Sequence, residues 1–184
     1  MEAQYPNNLY DFYENHSEFE KRNNQPKRIM YIVLIALCVL LIIYPSRIPL
    51  GNLLVRIIAI IGLFYCLFSF YTEGSSWYNK TSNGEVKLVS IKKFAYPESG
   101  DDFNGEDAKR IKELFNQNDW EGLLNEGAAD NRPLQLYIHE DATGKTFYLQ
   151  LMQFFSSSDF RGVSEVKVIS GQEYSDFYQI IKKI

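Results

Sequence analysis

The sequence predicts a membrane protein of α+β class, with an N-terminal two-helix transmembrane hairpin followed by a small soluble domain of order β-α-β-β-β-α with an antiparallel sheet. Residues 29–71 contain only two charged side chains, Arg47 and Arg56, whereas the flanking sequence is polar. At 184 residues the chain has room for one compact domain and an appendage. We therefore predict an amphipathic cytoplasmic helical segment at 1–28, the hairpin at 29–71, a linker at 72–84 and a cytoplasmic α+β domain at 85–184.

The N-terminal segment has the pattern of one amphipathic helix over residues 7–28. Asn8 with Asp11 three positions later is typical of a capping box. One helical face collects the apolar and aromatic side chains, namely Leu9, Phe12, Tyr13, His16 and Phe19. The segment is acidic up to Glu20 and is a poor candidate for binding anionic lipid. We expect it to pack on the C-terminal domain or on a partner.

Two apolar runs form the predicted hairpin, at 29–44 and 53–71. As helices they would span about 24 Å and about 28 Å, close to the roughly 30 Å hydrocarbon core of a bilayer. Neither run has the polar stripe of a helix that covers a soluble core. This favours two membrane spans, with a buried helix pair in a soluble protein as the alternative.

Basic residues predict the orientation of the hairpin. Six of them flank its open end, namely Lys21, Arg22, Lys27, Arg28, Lys80 and Lys87. Only Arg47 and Arg56 lie at or near the tip. Because cytoplasmic flanks carry the excess of Lys and Arg, both termini are expected in the cytoplasm. We therefore predict an integral membrane protein, located in the bacterial inner membrane.

Small side chains recur on one face of the second run, at Ala59, Gly62, Cys66 and Ser69. Small residues let helix backbones approach closely inside a bilayer. The stripe has two interpretations. It packs against the first helix of the same chain, or it joins copies of the chain into a homo-oligomer.

The remaining elements follow from periodicity and turn residues. Strands are predicted at 85–97, 132–141, 145–155 and 164–170, and helices at 104–124 and 170–184. The strands at 132–141 and 145–155 alternate cleanly and are separated by a hairpin-length loop that contains Gly144. A single antiparallel sheet with helices on one face is the natural arrangement of these elements.

The composition limits the kinds of partner and site that the chain can have. Residues 72–184 carry eighteen acidic and thirteen basic side chains, so a nucleic-acid partner is not favoured. Both cysteines, Cys38 and Cys66, fall inside the apolar runs, so the polar parts contain no disulfide or thiolate metal site. We predict no cofactor, no metal site and no catalytic residue.

Arg132 and His139 form a pair similar to the motif of HEPN-type ribonucleases, and that resemblance implies an RNA-cleaving domain. However, Pro133 and the alternating pattern predict a strand, where residues seven apart point to opposite faces. The alternative is a solvent-exposed His139 beside Tyr137. His139 to Asp141 are three potential metal ligands in a row, but adjacent strand residues diverge.

The predicted function is that of a non-enzymatic, membrane-anchored protein whose cytoplasmic domain binds a protein partner or regulates a membrane assembly. A possible partner surface contains Tyr137, His139, Tyr148 and Phe160. The architecture resembles small accessory, effector and immunity proteins of bacterial conflict and defence systems. Two alternatives remain open, an oligomeric membrane-perturbing effector with pore-like action and the RNA-cleaving domain that uses Arg132 and His139.

Overall fold

The computed structural model describes residues 5–45, 51–72, 74–94, 105–127, 134–156 and 159–182. It shows a mixed α+β protein with two long apolar helices that form a hairpin and a curled antiparallel half-barrel sheet. The chain divides into two compact units, one at 21–77 and the other composed of 1–20 together with 78–184. The hairpin unit is therefore an insertion within the sequence of the α+β unit.

The elements of the N-terminal part are α1 (Leu9–Asn15), β1 (Phe19–Asn23), α2 (Gln25–Ile43) and α3 (Asn52–Thr72). The Asn24 side chain caps α2 by accepting a hydrogen bond from the backbone N–H of Lys27 at 3.2 Å. The predicted runs at 29–44 and 53–71 fall almost entirely within α2 and α3. Both helices are long and apolar enough to cross a membrane, judged by length and composition.

The C-terminal part contains β2 (Ser75–Asn79), β3 (Gly84–Lys93), α4 (Glu106–Gln117), α5 (Trp120–Asn125), β4 (Leu134–Asp141), β5 (Thr146–Ser156), β6 (Asp159–Gly162), β7 (Lys167–Ser170) and α6 (Gln172–Ile181). The sheet order is β1-β2-β3-β4-β5-β6, and β7 also pairs with β5. β7 pairs with the first half of β5, from Thr146 to Leu149, whereas β6 pairs with the second half, from Met152. The long strand β5 therefore pairs with three strands, β4, β6 and β7.

The predicted order β-α-β-β-β-α is incomplete after residue 85. The helix expected at 104–124 is divided into α4 and α5 because Asn118 adopts a left-handed conformation with φ 60°. Asp119 then starts α5 by accepting a hydrogen bond from the backbone of Gly122 at 2.9 Å. A fifth strand, β6, lies between β5 and β7 where the sequence predicted none.

The prediction of one helix over residues 7–28 is wrong. The Asn8 cap is confirmed, since its side chain accepts a hydrogen bond from the Asp11 backbone at 2.9 Å. However, α1 ends at Asn15, and the chain becomes strand β1 from Phe19. Residues 72–84, predicted as a linker, contain β2. Tertiary pairing overrides the local helical pattern, because the backbone N–H of Lys80 donates to the carbonyl of Glu18 at 2.8 Å.

The main hydrophobic core lies between one face of the sheet and the helices α4, α5 and α6. Phe115, Phe147 and Phe177 are essentially inaccessible there. Leu136, Ile138, Leu149 and Leu151 contribute the strand side of this core. Since side chains alternate along a strand, their sequence neighbours on β4 and β5 project to the opposite face.

Candidate binding face

The opposite face of the sheet carries a block of polar and aromatic side chains on β4 and β5. His139 pairs directly with Tyr148, and Tyr137 pairs directly with Gln150. Residues that are opposite one another in an antiparallel pair share a face, as do residues two apart on one strand. We call these four residues the binding face.

A segment from the N-terminus lies over the binding face. We call residues 5–20, which contain α1, the strap. The ring of Tyr13 lies 5.9 Å from that of His139 and 5.6 Å from that of Tyr148, measured between centroids. Tyr10 also approaches His139, at 5.4 Å, and Phe19 approaches Tyr148, also at 5.4 Å. The strap therefore forms a second, aromatic layer on the sheet.

Backbone hydrogen bonds hold the start of the strap. Nε2 of Gln150 donates to the carbonyl of Pro6 at 2.7 Å, and the backbone N–H of Gly162 donates to the carbonyl of Asn7, also at 2.7 Å. A Cβ atom at position 162 would lie 2.2 Å from the Pro6 oxygen, so glycine permits this close approach. The strap is bound here through its main chain.

The covered side chains keep polar atoms without partners. His139 is only 2% exposed and Gln150 is fully buried. Among the described residues, Nδ1 of His139 and Oε1 of Gln150 have no hydrogen-bond partner. Burial lowers the pKa of His139 to about 4, because the charged imidazolium would lose its hydration. His139 is accordingly neutral at pH 7.

Burial also affects the tyrosines on both sides of this layer. It raises the pKa of Tyr13 and of Tyr148, since a buried phenolate would lose its hydration. The Tyr148 hydroxyl accepts a hydrogen bond from Nδ2 of Asn79 at 3.2 Å. Both phenols are therefore neutral hydrogen-bonding groups, without nucleophilic character at pH 7.

The expectation of a solvent-exposed His139 is wrong, and so is the inclusion of Tyr148 in an exposed surface. Both are 2% exposed because the strap covers them. Tyr137 and Phe160 remain half-buried, with their rings 5.8 Å apart, and Phe160 also contacts the exposed Phe154 at 5.9 Å. Of the N-terminal segment, the part up to residue 20 packs on the C-terminal domain, whereas residues 21–28 belong to the hairpin unit.

Sequence reasoning did not identify Gln150 or Gly162. Gln150 is a polar residue on the non-core side of an apolar strand, and alternation alone predicts it to be exposed. The partners that explain these two residues lie far away in the sequence. Gln150 donates to the carbonyl of Pro6, and Gly162 donates to the carbonyl of Asn7. No local pattern connects positions so far apart.

The RNA-cleaving interpretation needs Arg132 and His139 together. Arg132 lies outside the described residues, so the pair has no described geometry. His139 belongs to β4 and lies beneath the strap, where a substrate cannot reach it in this conformation. A catalytic base must come within hydrogen-bonding distance of the proton that it removes.

The neighbouring acidic residue Asp141 has a structural role. Its carboxylate accepts hydrogen bonds from the Ser82 hydroxyl and from the backbone N–H of Gly144, the latter at 2.8 Å. These bonds connect the turn after β4 with the turn before β3. Within the described parts of the chain, no group of three or more His, Cys, Asp or Glu side chains is arranged to hold a metal ion.

The small-residue stripe of the hairpin faces its own partner helix. Ala59, Cys66 and Ser69 are each at most 5% exposed within the single chain. A Cβ atom on Gly62 would lie 3.2 Å from the Sγ atom of Cys38 on α2. The stripe is therefore used to bring α2 and α3 together.

Contacts between the start of α2 and the end of α3 join the two chain ends of the hairpin. The backbone N–H of Asn24 donates to the carbonyl of Gly74 at 2.9 Å, and the Arg28 guanidinium lies 5.0 Å from the centre of the Phe70 ring. Of the other residues used to predict orientation, Lys21, Lys27 and Arg56 are exposed and Arg22 is half-buried. Arg47 lies outside the described residues.

The binding face thus offers hydrogen-bonding groups, aromatic contact area and neutral side chains at physiological pH. In this chain it contacts the main chain and the aromatic side chains of the strap. Comparison of the chain with protein-family models, with curated proteins and with solved structures finds no match.

Proposed function

We propose that this is an integral membrane protein whose helices α2 and α3 cross the bilayer and anchor a cytoplasmic domain that binds a protein partner. The observation that supports the anchor is the exposure of apolar side chains around the hairpin. Val33 and Ile61 are more than 60% exposed, as are Phe64 and Phe68. Water would make this surface strongly unfavourable, whereas lipid tails solvate it.

The composition of the α+β unit supports an even number of crossings. This unit contains residues 1–20, which precede the hairpin, and residues 78–184, which follow it. Tyr13 from the first part packs on Tyr148 from the second, with ring centroids 5.6 Å apart. Since one folded unit cannot be divided by a bilayer, both ends of the hairpin return to the same side. Two spans meet this condition, and one span does not.

The side is proposed from the charges. Lys21 and Lys27 are exposed at the open end of the hairpin, beside Arg22 and Arg28. The excess of basic residues at this end favours the cytoplasm, and in a bacterium this means the inner membrane. The α+β unit would then be cytoplasmic.

The partner-binding role is supported by the aromatic residues at the uncovered end of the binding face. Phe154 is 41% exposed and continues the line of Tyr137 and Phe160 beyond the strap. Exposed aromatic side chains that are already ordered by their neighbours are common anchors of protein interfaces. We propose a non-enzymatic role as an accessory or immunity protein in a bacterial conflict or defence system. The membrane-perturbing alternative has less support, because the small-residue stripe is buried within one hairpin.

The test is extraction of the tagged full-length protein from membranes, followed by sizing and affinity capture. We expect resistance to alkaline carbonate, and a captured partner that is lost with Phe154→Ser but retained with Val89→Ser. Val89 is a matched control, because it is 45% exposed in the irregular register between Leu88 and Ser90 on β3. Release by carbonate would refute the anchor, and equal capture by both variants would refute the proposed surface.

A further inference from the structure

We propose that the binding face is a peptide-binding site which the strap occupies in cis, and that an aromatic, acidic segment of a partner protein competes with the strap for it. This inference rests on the proposed function, since it names the chemistry of the partner. It adds an autoinhibited state, in which the site is filled by the protein's own N-terminal segment.

The contacts of the strap are those of a bound peptide. Its main chain is recognised at Pro6 and Asn7 by Gln150 and Gly162, and at Glu18 by the backbone N–H of Lys80. Its aromatic side chains Tyr13 and Phe19 are buried to 1% and 4% exposure. Main-chain hydrogen bonds together with a few buried aromatic anchors are a general mode of peptide recognition.

The strap is suited to displacement. Its helix, α1, has seven residues, and a helix of this length does not persist in water without a surface to pack on. The closed state also leaves Nδ1 of His139 and Oε1 of Gln150 without described partners. Within the described parts of the chain neither atom has a replacement for its hydrogen bond to water, and this weakens the closed state.

These features define the competing segment. It needs aromatic side chains in the places of Tyr13 and Phe19, and it gains over the strap if it supplies a hydrogen-bond donor to Gln150. The strap contains four acidic residues and no Lys or Arg; the acidic residues are Asp11, Glu14, Glu18 and Glu20. Nζ of Lys80 donates to the carbonyl of Ser17 at 2.5 Å, so a basic group already lies beside the acidic end of the strap.

The test uses the full-length protein in detergent and a fluorescent peptide of residues 5–20. Tyr13→Ala should open the strap and bind the peptide at least about tenfold more tightly than wild type does, because the competitor in cis is weakened. Asn15→Ala is the matched control on the same helix, since Asn15 is exposed and its side chain donates to the Asp11 carbonyl within α1. A peptide with serine in place of Tyr13 and Phe19 should not bind.

Opening is measured independently by histidine-selective NMR. The chain has two histidines, so exposed His16 is an internal reference for His139. In an open variant the pKa of His139 should move from about 4 towards its ordinary value of 6.5. Gly162→Ala is a second opening variant, since its Cβ would lie 2.2 Å from the Pro6 oxygen.

Each outcome decides the proposal. Tight binding of the peptide by the opened variants, weakened again by Gln150→Leu, supports it. Equal binding by wild type and by a variant whose His139 signal reports opening would overturn it. If neither variant opens the strap, the strap is a fixed part of the fold and the proposal is also wrong. Failure of wild-type protein to capture a partner would count against the proposed function alone, because the peptide assay does not depend on that partner.

Discussion

The buried imidazole of His139 predicts a specific loss of stability in mild acid. Its pKa is about 4 in the folded protein and is expected near 6.5 in the unfolded chain. Between these values the unfolded chain binds the proton more readily, so the free energy of unfolding falls as pH decreases. The stability is fully present above about pH 6.5 and is lost progressively down to about pH 4.

The magnitude follows from the two pKa values. Between about pH 7.5 and about pH 5, linkage predicts a loss of roughly 2 kcal/mol from this one group. The groups that face His139 do not offset this loss. Burial raises the pKa of Tyr13 and of Tyr148, so both phenols are neutral in this range, and the carboxylate of Asp141 on the same strand is bound to Ser82 and Gly144.

The assay is urea unfolding of the full-length protein in detergent, followed by fluorescence of Trp120. This indole packs on Phe115 and Phe177 and reports the core of the α+β unit. A Trp77→Phe background removes the chain's other tryptophan. His139→Phe should reduce the pH dependence by about 2 kcal/mol. An unchanged pH dependence in His139→Phe would refute the reasoning.

Three further predictions concern local contacts. Lys167→Met should lower the free energy of unfolding by about 1–3 kcal/mol, because the Lys167 ammonium caps the end of α4 through the carbonyls of Phe115 and Asn116 at 2.7 and 2.8 Å. Urea unfolding measures this loss. An equal loss in the exposed control Lys109→Met would contradict the prediction. Gly84→Ala should destabilise the fold, because its Cβ would lie 1.9 Å from an Asp141 carboxylate oxygen. The cost should be smaller in an Asp141→Ala background, and strict additivity in a double-mutant cycle would rule out this contact. Gly62→Leu should lower the melting temperature of the hairpin in detergent, because it would drive α3 away from Cys38, which lies 3.2 Å from the added Cβ. Cys38→Ala should restore part of the loss, and a loss of assembly without a change in melting temperature would instead favour an intermolecular stripe.

The parts of the fold that could be predicted are those encoded locally. The hairpin follows from unbroken apolar runs, and the Asn8 cap from two residues three apart. Strands β4 and β5 follow from clean alternation around Gly144. In each case the signal and the structure occupy the same short stretch of chain, so neighbouring residues suffice to reveal it.

The parts that could not be predicted depend on contacts between distant segments. The sequence predicts a helix in place of strand β1, because the spacing of apolar residues over 9–19 also fits a helix. The strand that pairs with β1 is β2, which follows the whole hairpin in the sequence. The burial of His139 is hidden for the same reason, since the strap that covers it precedes the hairpin. The predicted partner surface at Tyr137, His139, Tyr148 and Phe160 stays a prediction, but its exposure was predicted wrongly for His139 and Tyr148, which are each 2% exposed.

The division of the predicted helix 104–124 at Asn118 shows a third limit of sequence-based prediction. Residues 104–124 contain apolar positions at helical spacing throughout, so periodicity predicts one element. The left-handed conformation of Asn118, with φ 60°, ends α4, and the Asp119 side chain starts α5. Asparagine tolerates this conformation better than most residues, but its presence alone does not require it.

The most direct test of the account is the membrane topology of the inserted hairpin. Single cysteines at Glu14, Ser46 and Ala142, in a chain with Cys38→Ala and Cys66→Ala, report on the strap, the segment between the two apolar runs and the sheet. A membrane-impermeant maleimide should label only Ser46→Cys in intact cells, and all three after permeabilisation. Labelling of Glu14→Cys and Ala142→Cys from opposite sides of the membrane would contradict a single α+β unit interrupted by a two-span hairpin.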